Sequence, residues 1–538
     1  MKTTMCGAAA ALWIGLGAVS PAAAHDAAGG PAKLGKVHFK VECNAAAQKE
    51  FDLAMAYYHS FAWNDIKAPL DRTLQADPEC GMAHWARALA LLDNPFGWPG
   101  NVSAKTLADG AALLEAARQA GLKTQRERDY VDALASFYRD PDKLNHRTRA
   151  KALETALEGI ARRNPDDTEA AILHALVLSA NFDPADKQYT NQLRAAAILE
   201  PLFKAQPEHP GVAHYLIHSY DYPPIASKGL DAARRYDKIA PDAPHAQHMP
   251  SHIFTRVGAW RESIASNIAS ARTDAGKSAN THHAYDYMAY AYLQLGQDAA
   301  ARKVMADLSA LPGAYDSFAA AYAYAAIPAR LAIELGAWQE AAALSLVPAS
   351  VVYPWNKYPQ AEAVNAFARG LGAAAGKNAG AAQIEVTRLQ QLRDAATALK
   401  LSYWAEQIDI QSEVVRGLAA FGDGKRDDGI DILRKAAVRE DASEKHVVTP
   451  GPIIPAREVL AGALFDMGKP AEALSEFEAV LRKEPNRLRA TAGAAMAAER
   501  SGDTAKARLY HSKVLELTEG ADGQRPEIVQ ARRFLGRA

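Results

Sequence analysis

The chain has 538 residues, 49% of them apolar and 23% charged, with 61 Lys+Arg against 62 Asp+Glu. It is several times longer than a typical domain of roughly 150 residues. The balanced charge excludes the basic excess of a nucleic-acid binder, and the apolar content excludes a disordered chain.

The N-terminus reads as a targeting segment. Lys2 is followed by an apolar run over residues 5–19, and Ala22-Ala23-Ala24 supplies a small-residue cleavage site. This predicts a signal peptide over 1–24, a mature chain beginning near His25, and a periplasmic or secreted protein. No later stretch holds eighteen uncharged apolar residues, so no transmembrane segment is expected after cleavage. Removal of Cys6 leaves Cys43 and Cys80, an even pair in an oxidising compartment. A disulfide between them is expected; the alternative is two buried free thiols.

From residue 25 onward Ala and Leu dominate at helical spacing, and no long strand-like alternation occurs. Three regions follow: 25–345, with helical repeats; 346–454, degenerate helical repeats and loops; and 455–538, where the repeat is clearest. The stretches 93–125, 346–362 and 440–454 fit no repeat and read as long loops or atypical helices. In the C-terminal region Gly468 recurs as Gly502, Ala473 as Ala507 and Val480 as Val514, each at a spacing of roughly 34 residues. Ala461, Ala473, Phe477 and Pro485 fall where a tetratricopeptide unit carries a small residue, Ala, an aromatic and Pro. Ala54, Tyr57 and Pro78, then Ala175, Leu178, Ala195 and Pro207, then Ala289, Tyr292, Gly296 and Ala301, fit the same frame. The chain thus resembles the tetratricopeptide repeat (TPR) family, a helix-turn-helix repeat. The resemblance implies an all-α fold, an α-solenoid of stacked TPR-like units with a concave binding surface. It also puts Cys43 and Cys80 at junctions one repeat apart, where a bridge would staple the N-terminal end.

Half of the sixteen histidines lie between His209 and His283. With Pro207 closing one unit and Gly258 and Gly296 marking the inter-helix turns of the next two, His214 and His218, then His245, His248 and His252, then His283, Asp286 and Tyr290 fall on family positions that line the groove. Arg256 points the same way. His214/His218 and His248/His252 have the i, i+4 spacing that places both rings on one helical face. Such imidazoles suit Zn, Cu, Fe or Ni, with Asp286 or Tyr290 completing the shell. The alternative use is a grip on a peptide or small anionic ligand through His245, Arg256, His283 and Tyr290. A solvated groove face gives packing no reason to select histidine repeatedly. Pro250 predicts a helix start near Met249, leaving His245 and His248 in an entering loop. Arg330 and Glu458 also map to groove positions, where a solvated charged face is the plainer reading. His59 and His84 are weaker candidates.

No phosphate-binding glycine loop, G-x-S-x-G elbow, H-E-x-x-H helix or C-x-x-C pair occurs, so no catalytic residue is named and enzymatic activity stays open. Beside a purely structural adaptor, whose outer surface binds partners and whose histidines are incidental, two functions remain. One is an exported TPR scaffold that holds a protein or peptide partner, or an anionic ligand, in a His/Tyr-rich groove. The other is a metal-binding protein or metalloenzyme, hydrolytic or redox, using His214, His218, His248 and His252.

Overall fold

The computed structural model describes residues 32–100 and 102–537. The expected signal peptide lies outside them. The described residues form α-helices and short 3-10 turns with no strand. Successive helices pair as antiparallel hairpins, for example Ala456–Asp466 with Pro470–Lys483, and Leu488–Ser501 with Thr504–Leu517. The hairpins stack side by side as TPR-like units.

The repeat signature has a physical reason at each point. Ala461, Ala473 and Phe477 are buried between paired helices, each large apolar side chain contributing about 1.5–3 kcal/mol. Gly493 lies flat against the Phe477 ring, where a Cβ would come within 2.4 Å of it. The turn glycines Gly258, Gly296, Gly468 and Gly502 all have left-handed backbone, with φ of 70°, 65°, 82° and 83°. That geometry ends the first helix of a hairpin at low cost only with glycine.

The stretches that fit no repeat differ from one another. Residues 93–125 contain a regular helix, Ala104–Ala120, capped by Ser103. Residues 346–358 are a loop ending in the short turn Trp355–Lys357, and residues 442–455 are a second loop. Between these loops stand four long helices, Pro359–Ala375, Ala379–Ala398, Ser402–Gly422 and Arg426–Asp441.

The array does not stay open. Its C-terminal hairpins return to the middle of the chain. Trp260 Nε1 donates to the Asn486 carbonyl at 2.9 Å, the Leu488 amide donates to Gln294 Oε1 at 3.0 Å, and Arg525 Nε pairs with Asp298 at 3.0 Å. The 442–455 loop crosses the inner side, where Arg330 donates to Thr449 Oγ1 and to the carbonyls of Gly451 and Pro452. The concave face is therefore filled, which corrects the expectation of a solvated groove. Arg330 and Glu458, read as a solvated face, are 0% and 3% exposed. Each is neutralised by a buried partner, Arg330 by Asp286 and Glu458 by Arg487.

Cys43 and Cys80 form a disulfide with Cα atoms 5.3 Å apart. It joins the entry to helix Ala45–His59 with the start of helix Gly81–Leu91. Its removal releases a closed loop in the unfolded chain, an effect worth about 2–4 kcal/mol. We expect Cys43→Ser/Cys80→Ser to expose the first hairpin to protease while the C-terminal repeats stay protected. Equal protection of both regions in limited proteolysis would show that the bridge adds nothing. No helix among the described residues is long and apolar enough to cross a membrane.

Candidate metal centre

Six histidines converge from three consecutive parts of the array. His214 and His218 lie on helix Pro210–Tyr220, and His283 on helix Ala279–Gln294. His245 and His248 belong to the short helix Pro244–His248, and His252 to helix Pro250–Val257. Pro250 does not leave His245 and His248 in a loop, as the sequence suggested. Met249 keeps helical backbone (φ −54°, ψ −35°) and its amide bonds the His245 carbonyl at 2.9 Å. Proline removes one helical hydrogen bond and the chain turns on through it. His245 and His252 are thereby swung onto different neighbours.

The rings fall into two triads, His214/His218/His245 and His248/His252/His283. Within each triad one ligand atom per residue lies within 4.8 Å of the others. His214, His218, His248 and His252 are no more than 4% exposed; His245 and His283 are half-buried. Burial pushes His214, His218, His245, His248 and His283 well below the usual histidine range, so these rings are neutral.

The hydrogen-bond partners fix which nitrogen carries the proton. His214 Nδ1 is 2.7 Å from the His59 carbonyl oxygen, so it donates and leaves Nε2 bare. His248 Nδ1 is 2.6 Å from Asn267 Oδ1, and Asn267 Nδ2 donates to the Ser263 carbonyl, which fixes the amide orientation. His252 Nδ1 donates to Asp221 Oδ2 at 2.9 Å. Despite its burial, Asp221 is held well below the usual carboxylate range by Lys445, Arg256 and His252, so it only accepts. His248 and His252 therefore turn two bare Nε2 lone pairs toward each other, 3.0 Å apart. In the other triad His245 Nε2 is 3.1 Å from His214 Nε2. Among the described residues the buried Nε2 of His218 and Nδ1 of His283 have no hydrogen-bond partner.

Two nitrogens bound to one ion at about 2.0–2.1 Å, at cis or tetrahedral angles, stand about 2.9–3.4 Å apart, the spacing seen here. The Nδ1 partners are also those of metal-binding histidines, which donate their second N–H to a carboxylate, amide or carbonyl.

A third cluster has a different character. Glu169 accepts from His59 Nε2 at 3.1 Å and from His209 Nε2 at 3.0 Å. His59 Nδ1 meets Tyr215 OH at 2.9 Å, and His209 Nδ1 accepts from the Val212 amide at 3.3 Å. Every ring nitrogen there is engaged, which makes the cluster a brace. It holds His59, whose carbonyl orients His214.

The remaining expected site residues stand apart from the triads. Asp286, read from its register as a candidate ligand, is not among them; its Oδ1 accepts from Arg330 Nε at 3.0 Å. Tyr290 OH donates to Glu484 at 3.1 Å and accepts from Arg487. Arg256, read as an anion grip, is committed to the Asp221 carboxylate and carbonyl at 2.8 and 3.0 Å. Sequence reasoning missed Asp221, Asn267 and Lys445. Lys445 reaches Asp221 at 3.1 Å from the 442–455 loop, and burial pushes its amine down to about 8.

Beside Lys445 lies a small cavity of about 70 Å³ lined by Tyr322, Phe367, Tyr403, Trp404, Glu440 and Lys483. Burial pushes the Glu440 carboxyl up to about 7. Arg256 and Lys445 line this cavity and bond Asp221, the partner of His252.

No protein-family model matches the sequence, and no curated protein matches it in sequence. Solved structures that it is similar to include the P58(IPK) TPR domain, at 11% identity over 92% of this chain and 99% of that one, with a TM-score of 0.22. A monomeric mutant of IFIT1 with Gppp-AAAA is 13% identical over 81% of this chain and 90% of that one, with a TM-score of 0.35. Naa15/Naa10 bound to HypK-THB is 12% identical over 91% of this chain and 73% of that one, with a TM-score of 0.22.

Proposed function

We propose that the protein is a transition-metal protein whose centre is built from histidine alone inside a closed TPR-like array. The observation that carries this is the facing pair of bare Nε2 atoms of His248 and His252 at 3.0 Å. Two lone pairs so placed repel unless a proton or a cation lies between them. Burial disfavours the proton: it pushes His248 well below the usual histidine range and lowers His252 as well, although Asp221 opposes it there. A metal ion satisfies both atoms, and neutral imidazole donors suit Zn, Cu, Fe or Ni.

The anionic-ligand reading has less support, since Arg256 and Tyr290 are committed to internal partners. A protein partner would dock on the outer helical faces of the array. The Cys43–Cys80 bridge favours an oxidising compartment, periplasmic or extracellular.

Elemental analysis of the protein purified without a histidine tag tests the reading. We expect stoichiometric metal in the wild type, and loss of at least half of it in His248→Ala/His252→Ala with unchanged far-ultraviolet circular dichroism. No metal, even after incubation with salts of all four ions, would contradict it. The same content in the variant would move the site elsewhere.

A further inference from the structure

The two triads are not separate sites. His218 and His252 have ring centroids 6.3 Å apart, as do His245 and His248. Those are contacts between triads. Within one triad, His252 and His283 stand 6.1 Å apart. Other pairs within the triads stand 4.2–5.0 Å apart. The contacts across the boundary are thus only slightly wider than the widest pair inside a triad, and the six rings form one contiguous histidine chamber wall. The segment 244–257 supplies both sides, with His245 facing the first triad and His248 and His252 the second.

The charge around the chamber is equally specific. The donor set is six imidazoles and no carboxylate. The one adjacent carboxylate, Asp221, spends its oxygens on His252, Arg256 and Lys445. Arg256 and Lys445 are set against Asp221 together with Glu444 and Glu484, so the flank offers the histidines no spare anion, and a buried charge without a counterion is costly. Two divalent ions would add four positive charges to this shell, and two monovalent ions would add two. Among ions that imidazole suits, copper is the one with an accessible monovalent state, and copper(I) accepts three nitrogen donors without an anionic fourth.

Resting on the metal reading above, we propose that the chamber holds two copper(I) ions side by side, one per triad, as a single dinuclear centre. His214, His218 and His245 hold the first ion, and His248, His252 and His283 the second. Each ion gives up one electron to become copper(II) when an external one-electron oxidant such as ferricyanide is supplied, two electrons for the pair.

The test is anaerobic titration of the metal-free full chain with copper(I), followed by oxidation with one ferricyanide per ion. We expect two equivalents bound and not displaced by excess zinc. We expect one equivalent in His214→Ala/His218→Ala and one in His248→Ala/His252→Ala. His38→Ala, which alters an exposed ring bonded to Asp52, should keep two. After oxidation the electron paramagnetic resonance signal of isolated copper(II) should be suppressed in the wild type and recovered in both double variants. One equivalent in the wild type, displacement of copper by zinc, or a full-intensity isolated signal from two bound ions would overturn the dinuclear proposal while leaving a metal site. No copper, zinc or other metal bound at all would overturn both readings. Circular dichroism separates lost ligands from a lost fold in each variant.

Discussion

Arg487→Ala is expected to destabilise the protein by about 3–5 kcal/mol, the cost of leaving buried partners of an ion pair uncompensated. Arg487 is 0% exposed. Its Nε and Nη2 reach Glu458 and Glu334 at 2.6 Å each, and its Nη1 meets Tyr290 OH at 3.2 Å. The guanidinium therefore joins the start of helix Leu488–Ser501 to two other helices, at the place where the C-terminal repeats return to the middle of the array. Glu458 keeps Arg489 when Arg487 is removed, but Glu334 loses its bonded ion-pair partner and keeps only the more distant attraction of Arg525. Such a loss is a large share of the 5–15 kcal/mol that holds a typical protein together. In urea, the midpoint should fall clearly for Arg487→Ala. It should recover in part when Glu334→Gln is added, because the stranded charge is then gone. A shift equivalent to less than about 1 kcal/mol would show that this contact is no stronger than a surface pair.

The metal-free protein is expected to lose stability steeply below about pH 6.5, the ordinary histidine value. His214, His218 and His248 are fully buried and lie well below that value in the folded chain. Desolvation of the charged ring is the main cause, with neighbouring histidines adding to it. The unfolded chain then binds more protons than the folded one, and stability rises with pH through this window. It is fully present above the unfolded value and drains away as pH falls toward the depressed folded values. Each ring contributes a slope of up to about 1.4 kcal/mol per pH unit, so the three together reach about 4 kcal/mol per unit. Bound metal should move the acid transition lower, since protons must then compete with the ion. Urea midpoints at pH 7.5, 6 and 5 check this. A flat profile down to pH 5 would mean that the rings are not held neutral. His248→Gln should flatten the slope by one proton.

The helical hairpins were legible because the repeat is local. Gly468 and Gly502, Ala461 and Ala473, and Phe477 each act within one hairpin or against the next, and a periodic sequence encodes that directly. The i, i+4 pairs His214/His218 and His248/His252 were legible for the same reason, since a helix places them on one face. The closing of the array was not. It depends on Arg487, Arg330 and the 442–455 loop meeting partners some 120–200 residues away, and no period records such contacts. That closure also turned the expected solvated groove into a largely buried interior. Asp221, Asn267 and Lys445 were missed because they support the histidines from other segments and share no spacing with them. Asp286 misled for the opposite reason. It holds the register of the histidines, but Arg330 on a neighbouring helix claims it.

Anomalous diffraction from crystals of the metal-loaded protein, recorded at the absorption edge of the ion, would test the central claim most directly. The account predicts density bridging Nε2 of His248 and Nε2 of His252, about 2.0–2.1 Å from each, with Nδ1 of both rings still on Asn267 and Asp221. An empty chamber in loaded crystals, with the ion only on an exposed ring such as His38, would contradict it.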